Sequence, residues 1–229
     1  MIHKNQNIPI VVKFIRPETP GYLSIIFERP VGFEFKAGDW MDLGFVNPDI
    51  RGGTTYSFSS SPTEPDLMIT FREGVSEVKR TLQAAKAGDT FSIVQYGNDY
   101  GFHLREHTTA TLIAGGVGVA PFRSMIKEMA DTDDKSSIDL LYFNSSADFL
   151  FQEEINQWKA ALPSLGVQFV VTRDLKKKDK VKILAGIAEA SQRSYYIAGP
   201  DAMVESTEHT LIEQGVKFKD IKIDSFGSY

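Results

Sequence analysis

Ala114-Gly115-Gly116-Val117-Gly118-Val119-Ala120-Pro121-Phe122-Arg123-Ser124-Met125 is the stretch whose reading decides the fold. The apolar run Ala110–Ile113 precedes it and reads as a buried parallel strand. After it, Phe122, Met125, Ile126 and Met129 fall at i, i+3, i+4 and i+7, one face of a helix. Pro121 is expected at the first helical residue, where a missing N–H costs nothing. The glycines therefore occupy a strand-to-helix turn. Lacking side chains, they let backbone approach a ligand closely. The N–H groups and positive dipole end of the helix then favour an anion, usually phosphate. The spacing is not the Gly-x-Gly-x-x-Gly of dinucleotide folds. No Lys-Ser or Lys-Thr follows the glycines, so it is not a P-loop either.

Toward the C-terminus the same grammar repeats. Strands are expected at Ala110–Ala114, Ile138–Phe143, Val167–Thr172, Tyr195–Ala198 and Ile221–Ile223. Helices are expected at Phe122–Ala130, Phe151–Leu162, Ile183–Ala190 and Ala202–Gln214, the last closed by Gly215 as a left-handed cap. Alternation of this kind implies a parallel sheet covered on both faces. Lys176-Lys177-Lys178-Asp179-Lys180 reads as a solvated loop.

Toward the N-terminus the grammar differs. Short strands are expected at Ile8–Ile15, Tyr22–Glu28, Trp40–Val46, Thr54–Ser59, Leu67–Arg72 and Thr90–Val94, divided by Pro, Gly and Asp. Six such strands suffice for a small closed barrel, which has no exposed edge. One helix, Ser76–Ala85, interrupts them, and Gly74-Val75-Ser76 ahead of it offers a second phosphate cradle. The expected architecture is a six-stranded antiparallel β-barrel over residues 1–104 and a five-stranded parallel α/β unit over 105–229. A hinge is expected near His103–Thr109.

At 229 residues the chain has the length of two domains. Its formal net charge of −5 argues against a general nucleic-acid surface, which would be basic. The absence of cysteine removes disulfides, thiolate-bound iron–sulfur or zinc, and thiol catalysis. The four histidines are scattered, and no metal site is expected. No run approaches ~18 apolar residues and the N-terminus lacks a signal-like apolar core, so a cytoplasmic protein without a membrane span is expected.

Three motifs in order carry a resemblance: Tyr56-Ser57-Phe58-Ser59-Ser60-Ser61-Pro62, Gly115–Pro121, and Ala198-Gly199-Pro200-Asp201-Ala202-Met203. Phe35-Lys36-Ala37-Gly38-Asp39-Trp40 and the tail Asp224-Ser225-Phe226-Gly227-Ser228-Tyr229 add to it. Across nearly the whole chain the sequence resembles the ferredoxin–NADP+ reductase family. That resemblance implies FAD in the barrel (FMN as an alternative), NADH or NADPH in the α/β half, and hydride transfer to flavin N5. Electrons would then pass to a separate acceptor, either a ferredoxin-like protein or a small molecule. Other readings are a flavin reductase with flavin as a diffusible substrate, and a nucleotide-binding regulator without turnover.

The resemblance also implies roles. Tyr56 would lie against the isoalloxazine, Ser57 would act near N5, and Phe58 and Ser60 share the motif. Many relatives carry Arg at the position of Thr54, paired to the flavin phosphates; Arg51 and Arg72 are the candidate replacements. Arg72, Gly74, Val75 and Ser76 would meet the pyrophosphate. Gly116, Val117, Gly118 and Pro121 would floor the nicotinamide site, with Gly199, Pro200 and Met203 beside it. Ala198 stands where many relatives have Cys. Asp224 replaces a carboxylate that relays protons, and Phe226 or Tyr229 would cover the flavin. Thr172, at the end of the third strand of this half, and Arg173 after it are candidate cofactor-binding residues, Arg173 being the nearby cation for a 2′-phosphate; with no Arg in Asn144-Ser145-Ser146, NADH is favoured.

Overall fold

The structure is a computed structural model that describes residues 1–47, 50, 54–98, 100–105, 107–188 and 193–226. Arg51 and Tyr229, two of the expected site residues, lie outside the described residues.

The first half is antiparallel. It contains β1 (Ile2–His3), β2 (Ile8–Pro17), β3 (Tyr22–Glu28), β4 (Trp40–Gly44), β5 (Thr55–Ser57), β6 (Asp66–Arg72) and β7 (Thr90–Gly97), with helix α1 (Glu77–Ala84) between the last two. The strand order is β5-β4-β7-β2-β3-β6. The ends meet just past β5, where Phe58 bridges to Ile69 of β6 and the Ser59 N–H donates to the Met68 carbonyl at 2.8 Å. Closure of this kind leaves little free edge. Hydrophobic collapse drives it: Phe27, Phe58, Ile10, Ile25, Met41 and Ile93 are nearly inaccessible, and Phe35 and Phe58 have ring centroids 4.3 Å apart. The two-residue β1 was not expected; it pairs with Gly97 and Tyr96, and His3 stacks on Tyr96 at 4.6 Å.

The second half holds β8 (Thr109–Gly115), α2 (Val119–Thr132), β9 (Ser137–Asn144), α3 (Gln152–Ala161), β10 (Leu165–Val171), α4 (Lys177–Ala188), β11 (Ser194–Gly199), α5 (Asp201–Glu213) and β12 (Ile221–Ser225). All pairings are parallel, in the order β10-β9-β8-β11-β12. Alternation along each strand splits the core. Leu112, Leu140 and Tyr196 pack under α2 and α3. Ile113, Leu141 and Ile197 pack under α4 and α5.

Two local expectations are corrected. A 3-10 turn at Gly116–Gly118 precedes α2, so Pro121 is the third helical residue rather than the first. Its missing N–H still belongs to the helix's unpaired first turn. The lysine run is largely helix, not loop: α4 begins at Lys177. Asp179 stabilises that start, since its carboxylate sits in the first turn and accepts the Lys176 N–H at 3.2 Å.

The two halves share a dry seam. Ile26, Ala37 and Met68 of the barrel belong to the same cluster as Phe122, Met125 and Leu112. The connecting segment is pinned on both sides. His103 Nε2 lies 2.7 Å from Asp39 Oδ1, and the Tyr196 hydroxyl donates to the His103 carbonyl at 2.7 Å.

Candidate functional site

A cleft opens where the carboxyl edge of the parallel sheet faces the barrel. The barrel contributes Tyr56, Ser57, Phe71, Arg72 and Lys79; the α/β half contributes Val117, Ala120 and Phe226.

Strand register explains how the two halves meet there. β5 lies on β4 with Ser57 opposite Trp40, which brings Tyr56 and Ser57 to the end of the barrel. β12 lies on β11 with Asp224 beside Ala198, at the carboxyl edge where parallel sheets bind ligands. Residues 167 positions apart then touch: the Ser57 hydroxyl donates to Asp224 Oδ2 at 2.9 Å. Asp224 keeps some exposure, but the cleft walls strip most of its water. Burial pushes its carboxyl pKa up to about 6, against the smaller opposing effect of the Ser57 bond. This is a carboxyl that changes protonation near neutral pH. Phe226 follows directly, anchored by its N–H to the Gly199 carbonyl at 3.0 Å.

The cleft is apolar along one wall and cationic at one end. Tyr56 and Phe71 meet edge to face at 6.3 Å. Arg72 ends β6, and Lys79 projects from α1. A flat aromatic ring system carrying phosphate fits this donor set: rings against Tyr56, anionic groups toward Arg72 and Lys79. Lys79 was missed in the sequence, because a lysine on a short helix gives no signal of its own.

Other expected residues are placed as follows. Gly116 has a left-handed backbone, φ +55, which glycine adopts without strain, and a Cβ there would face open space apart from the Tyr22 hydroxyl at 3.8 Å. Gly118 is required by the protein itself, since a Cβ would stand 2.1 Å from the Ala198 carbonyl oxygen. Met203 lies beneath the glycine turn, its Sδ 3.1 Å from where a Gly115 Cβ would stand, and Pro200 caps α5. Phe58 is turned wholly into the barrel, fully buried, with its N–H bonded to the Asp39 carbonyl at 3.0 Å. The Ser60 hydroxyl accepts the Met68 N–H at 2.9 Å, and Thr54 accepts the Leu43 N–H at 3.0 Å through its carbonyl. Ser76 caps α1, accepting the Lys79 N–H at 3.3 Å, while the Gly74 N–H is held by Gln83 at 2.8 Å. Val75 is exposed. Thr172 bonds back to Asn144, and Arg173 is exposed beyond the edge strand β10.

Behind the cleft sits a group no motif announced. Arg123 of α2 is only 3% exposed and donates to the Ser59 carbonyl at 2.7 Å, to Glu64 at 2.9 and 3.1 Å, and to Glu154 at 2.7 and 3.1 Å. It is also sandwiched near the rings of Phe151 and Trp158. Burial works against its charge, but the two carboxylates raise its pKa beyond the ordinary arginine range. Burial raises Glu64 too, yet Arg123 outweighs it and holds Glu64 below the usual carboxylate value. Among the described residues no cluster of three or more His, Cys, Asp or Glu could hold a metal.

Residues 112–209 match the family described as oxidoreductase NAD-binding domain. The chain is 35% identical over 127 residues to the sulfhydrogenase 2 subunit gamma of Pyrococcus furiosus, a match covering 54% of this chain and 42% of that protein. It is 23% identical to the phenol hydroxylase P5 protein of Acinetobacter pittii, over 99% of this chain and 66% of that one. The chain thus spans two fifths to two thirds of the length of these relatives. Among solved structures, a ferredoxin NADP+ reductase from Neisseria gonorrhoeae with bound FAD and NADP superposes with a TM-score of 0.75 at 18% identity, covering 95% of this chain and 98% of that one.

Proposed function

We propose that this chain, similar in fold to a ferredoxin NADP+ reductase and matching the oxidoreductase NAD-binding domain over residues 112–209, is an FAD-dependent NAD(P)H oxidoreductase serving a separate electron acceptor. The observation that carries this reading is the Ser57–Asp224 contact at 2.9 Å. It joins the flavin-side motif and the nucleotide-side tail at one point in one cleft.

A flavin bound there supplies the acceptor for a nicotinamide hydride. The residues of this chain do the rest. Tyr56 and Phe71 hold a flat ring and exclude water from one face. Val117 and the half-buried backbone at Gly116 would receive the nucleotide at the sheet edge. Phe226 occupies the remaining wall and must yield when a nicotinamide enters. Ionised, Asp224 accepts the Ser57 hydroxyl at Oδ2; below its pKa its carboxyl carries a proton of its own, a source for the proton that accompanies two-electron chemistry.

NADH is the expected nucleotide. The loop after β9 presents the carboxylate of Asp148, bonded to Ser146 at 2.9 Å, where a 2′-phosphate would require cations. Arg173 is the nearby exposed cation and lies outside that loop. The acceptor would be a partner protein or a small molecule, and the cytoplasm is the compartment we assign. No helix among the described residues is long and apolar enough to cross a membrane.

Thr54, in place of arginine, favours a second reading: a flavin reductase that releases its flavin. Purification separates the two. A yellow protein that keeps its flavin through gel filtration supports the first. A colourless protein that reduces added FMN with NADH supports the second. Failure of either form to oxidise NADH or NADPH would leave only a nucleotide-binding regulator.

A further inference from the structure

Among the described residues, two cations line the cleft, and neither is at position 54, where many relatives carry arginine. Thr54 is neutral. Arg72 arrives from the end of β6 and Lys79 from the first turn of α1, the third residue of that helix. Both line the cavity that Tyr56 walls. The stem of Lys79 lies across the loop ahead of its own helix: a Cβ on Gly74 would stand 2.6 Å from Lys79 Cδ and 3.4 Å from Nζ. A side chain at position 74 would therefore push the lysine off this path.

We propose that Lys79, held in place by Gly74 and acting with Arg72, is the phosphate-binding residue for the flavin in this chain, a role moved from position 54 to α1. The inference rests on the flavin reading above. Partial burial and the Arg72 charge together lower the Lys79 pKa, so the ammonium stands to gain from an anionic neighbour. Each phosphate contact of this kind is charge-assisted and salt-sensitive. The lysine recognises the phosphate and not the ring. Its loss would weaken FAD and FMN while sparing riboflavin, which has the same isoalloxazine and no phosphate.

Equilibrium binding of FAD, FMN and riboflavin, read by quenching of flavin fluorescence at two salt concentrations, tests this. In Lys79→Gln, FAD and FMN affinity should fall about tenfold or more, the value of one charge-assisted contact. Riboflavin affinity should hold within about twofold, and the salt dependence of FAD binding should shrink. Lys79→Arg should restore most of the FAD affinity. Gly74→Ala, which leaves the lysine in the sequence, should show the same phosphate-selective loss. A double variant Thr54→Arg/Lys79→Gln should recover FAD binding. Unchanged FAD affinity in Lys79→Gln overturns the inference. So does an equal loss for all three flavins in a variant whose thermal unfolding matches the parent. If the parent protein binds none of the three, the flavin reading itself falls, and this inference with it.

Discussion

Asp224 is the residue on which the proposed chemistry turns. Its carboxyl, raised to about 6 by burial, binds a proton more tightly in the folded chain than in the unfolded one. Its contribution to stability is therefore fully present below the ordinary aspartate value of about 3.9 and is lost as pH rises through about 6. Asp224→Asn should remove this loss and raise stability at pH 8 by about 1–3 kcal/mol, read from urea unfolding at pH 5 and pH 8. The same variant should flatten any pH dependence of turnover between about pH 5 and 7. A titration step that persists unchanged in Asp224→Asn would assign it to another group. The sequence singled out Ser57 and Asp224 through their motifs, and the structure brings the two side chains into contact. Lys79 and Arg123 carried no such signal: the first depends on the path of a side chain, the second on partners 59 and 31 residues away.

At the scale of elements, strands were easier to read than their ends. Tyr22–Glu28 is a strand over the very residues that alternation and turn signals gave. Trp40–Gly44 stops two residues short of the expected Val46, and Thr55–Ser57 is a three-residue remnant because Phe58 leaves the ladder to bridge Ile69. Helix α4 was half hidden by its lysines, since the apolar positions Ile183, Leu184 and Ile187 mark only its later turns. The glycine turn was recognised as a strand-to-helix junction, but periodicity does not show what the glycines touch. Gly118 packs its Cα against β11. Gly118→Ala would drive a methyl into the Ala198 carbonyl, and we expect a loss of at least about 3 kcal/mol in urea unfolding. A loss below about 1 kcal/mol would mean that β8 and β11 can separate cheaply at that point.

Across the whole molecule, the seam is a structural joint rather than a loose hinge. Arg123 ties α2 and α3 to the segment after β5, and the Ser124 hydroxyl donates to the Ser60 carbonyl at 2.6 Å beside it. Arg123→Ala would leave Glu64 and Glu154 without their shared cation and should cost about 3–5 kcal/mol, as expected for one broken buried pair. Thermal unfolding with separate probes for each half reports it: the parent should melt in one transition, and the variant should melt lower or in two. An unchanged melting temperature would mean that the carboxylates find other partners. The antiparallel and the parallel half were legible from the change of strand and helix grammar along the chain. Their fused core was not, because Ile26, Ala37 and Met68 read simply as barrel residues until the α2 face is laid against them.

The central claim is that a flavin and a nicotinamide meet in the cleft between Tyr56 and the glycine turn. The most direct measurement is the visible spectrum of the FAD-loaded chain under anaerobic conditions as NADH is added. The account predicts stoichiometric bleaching of the flavin band by NADH, with NADPH less effective, and return of the band when oxygen is admitted. A flavin band that neither nucleotide bleaches would contradict it.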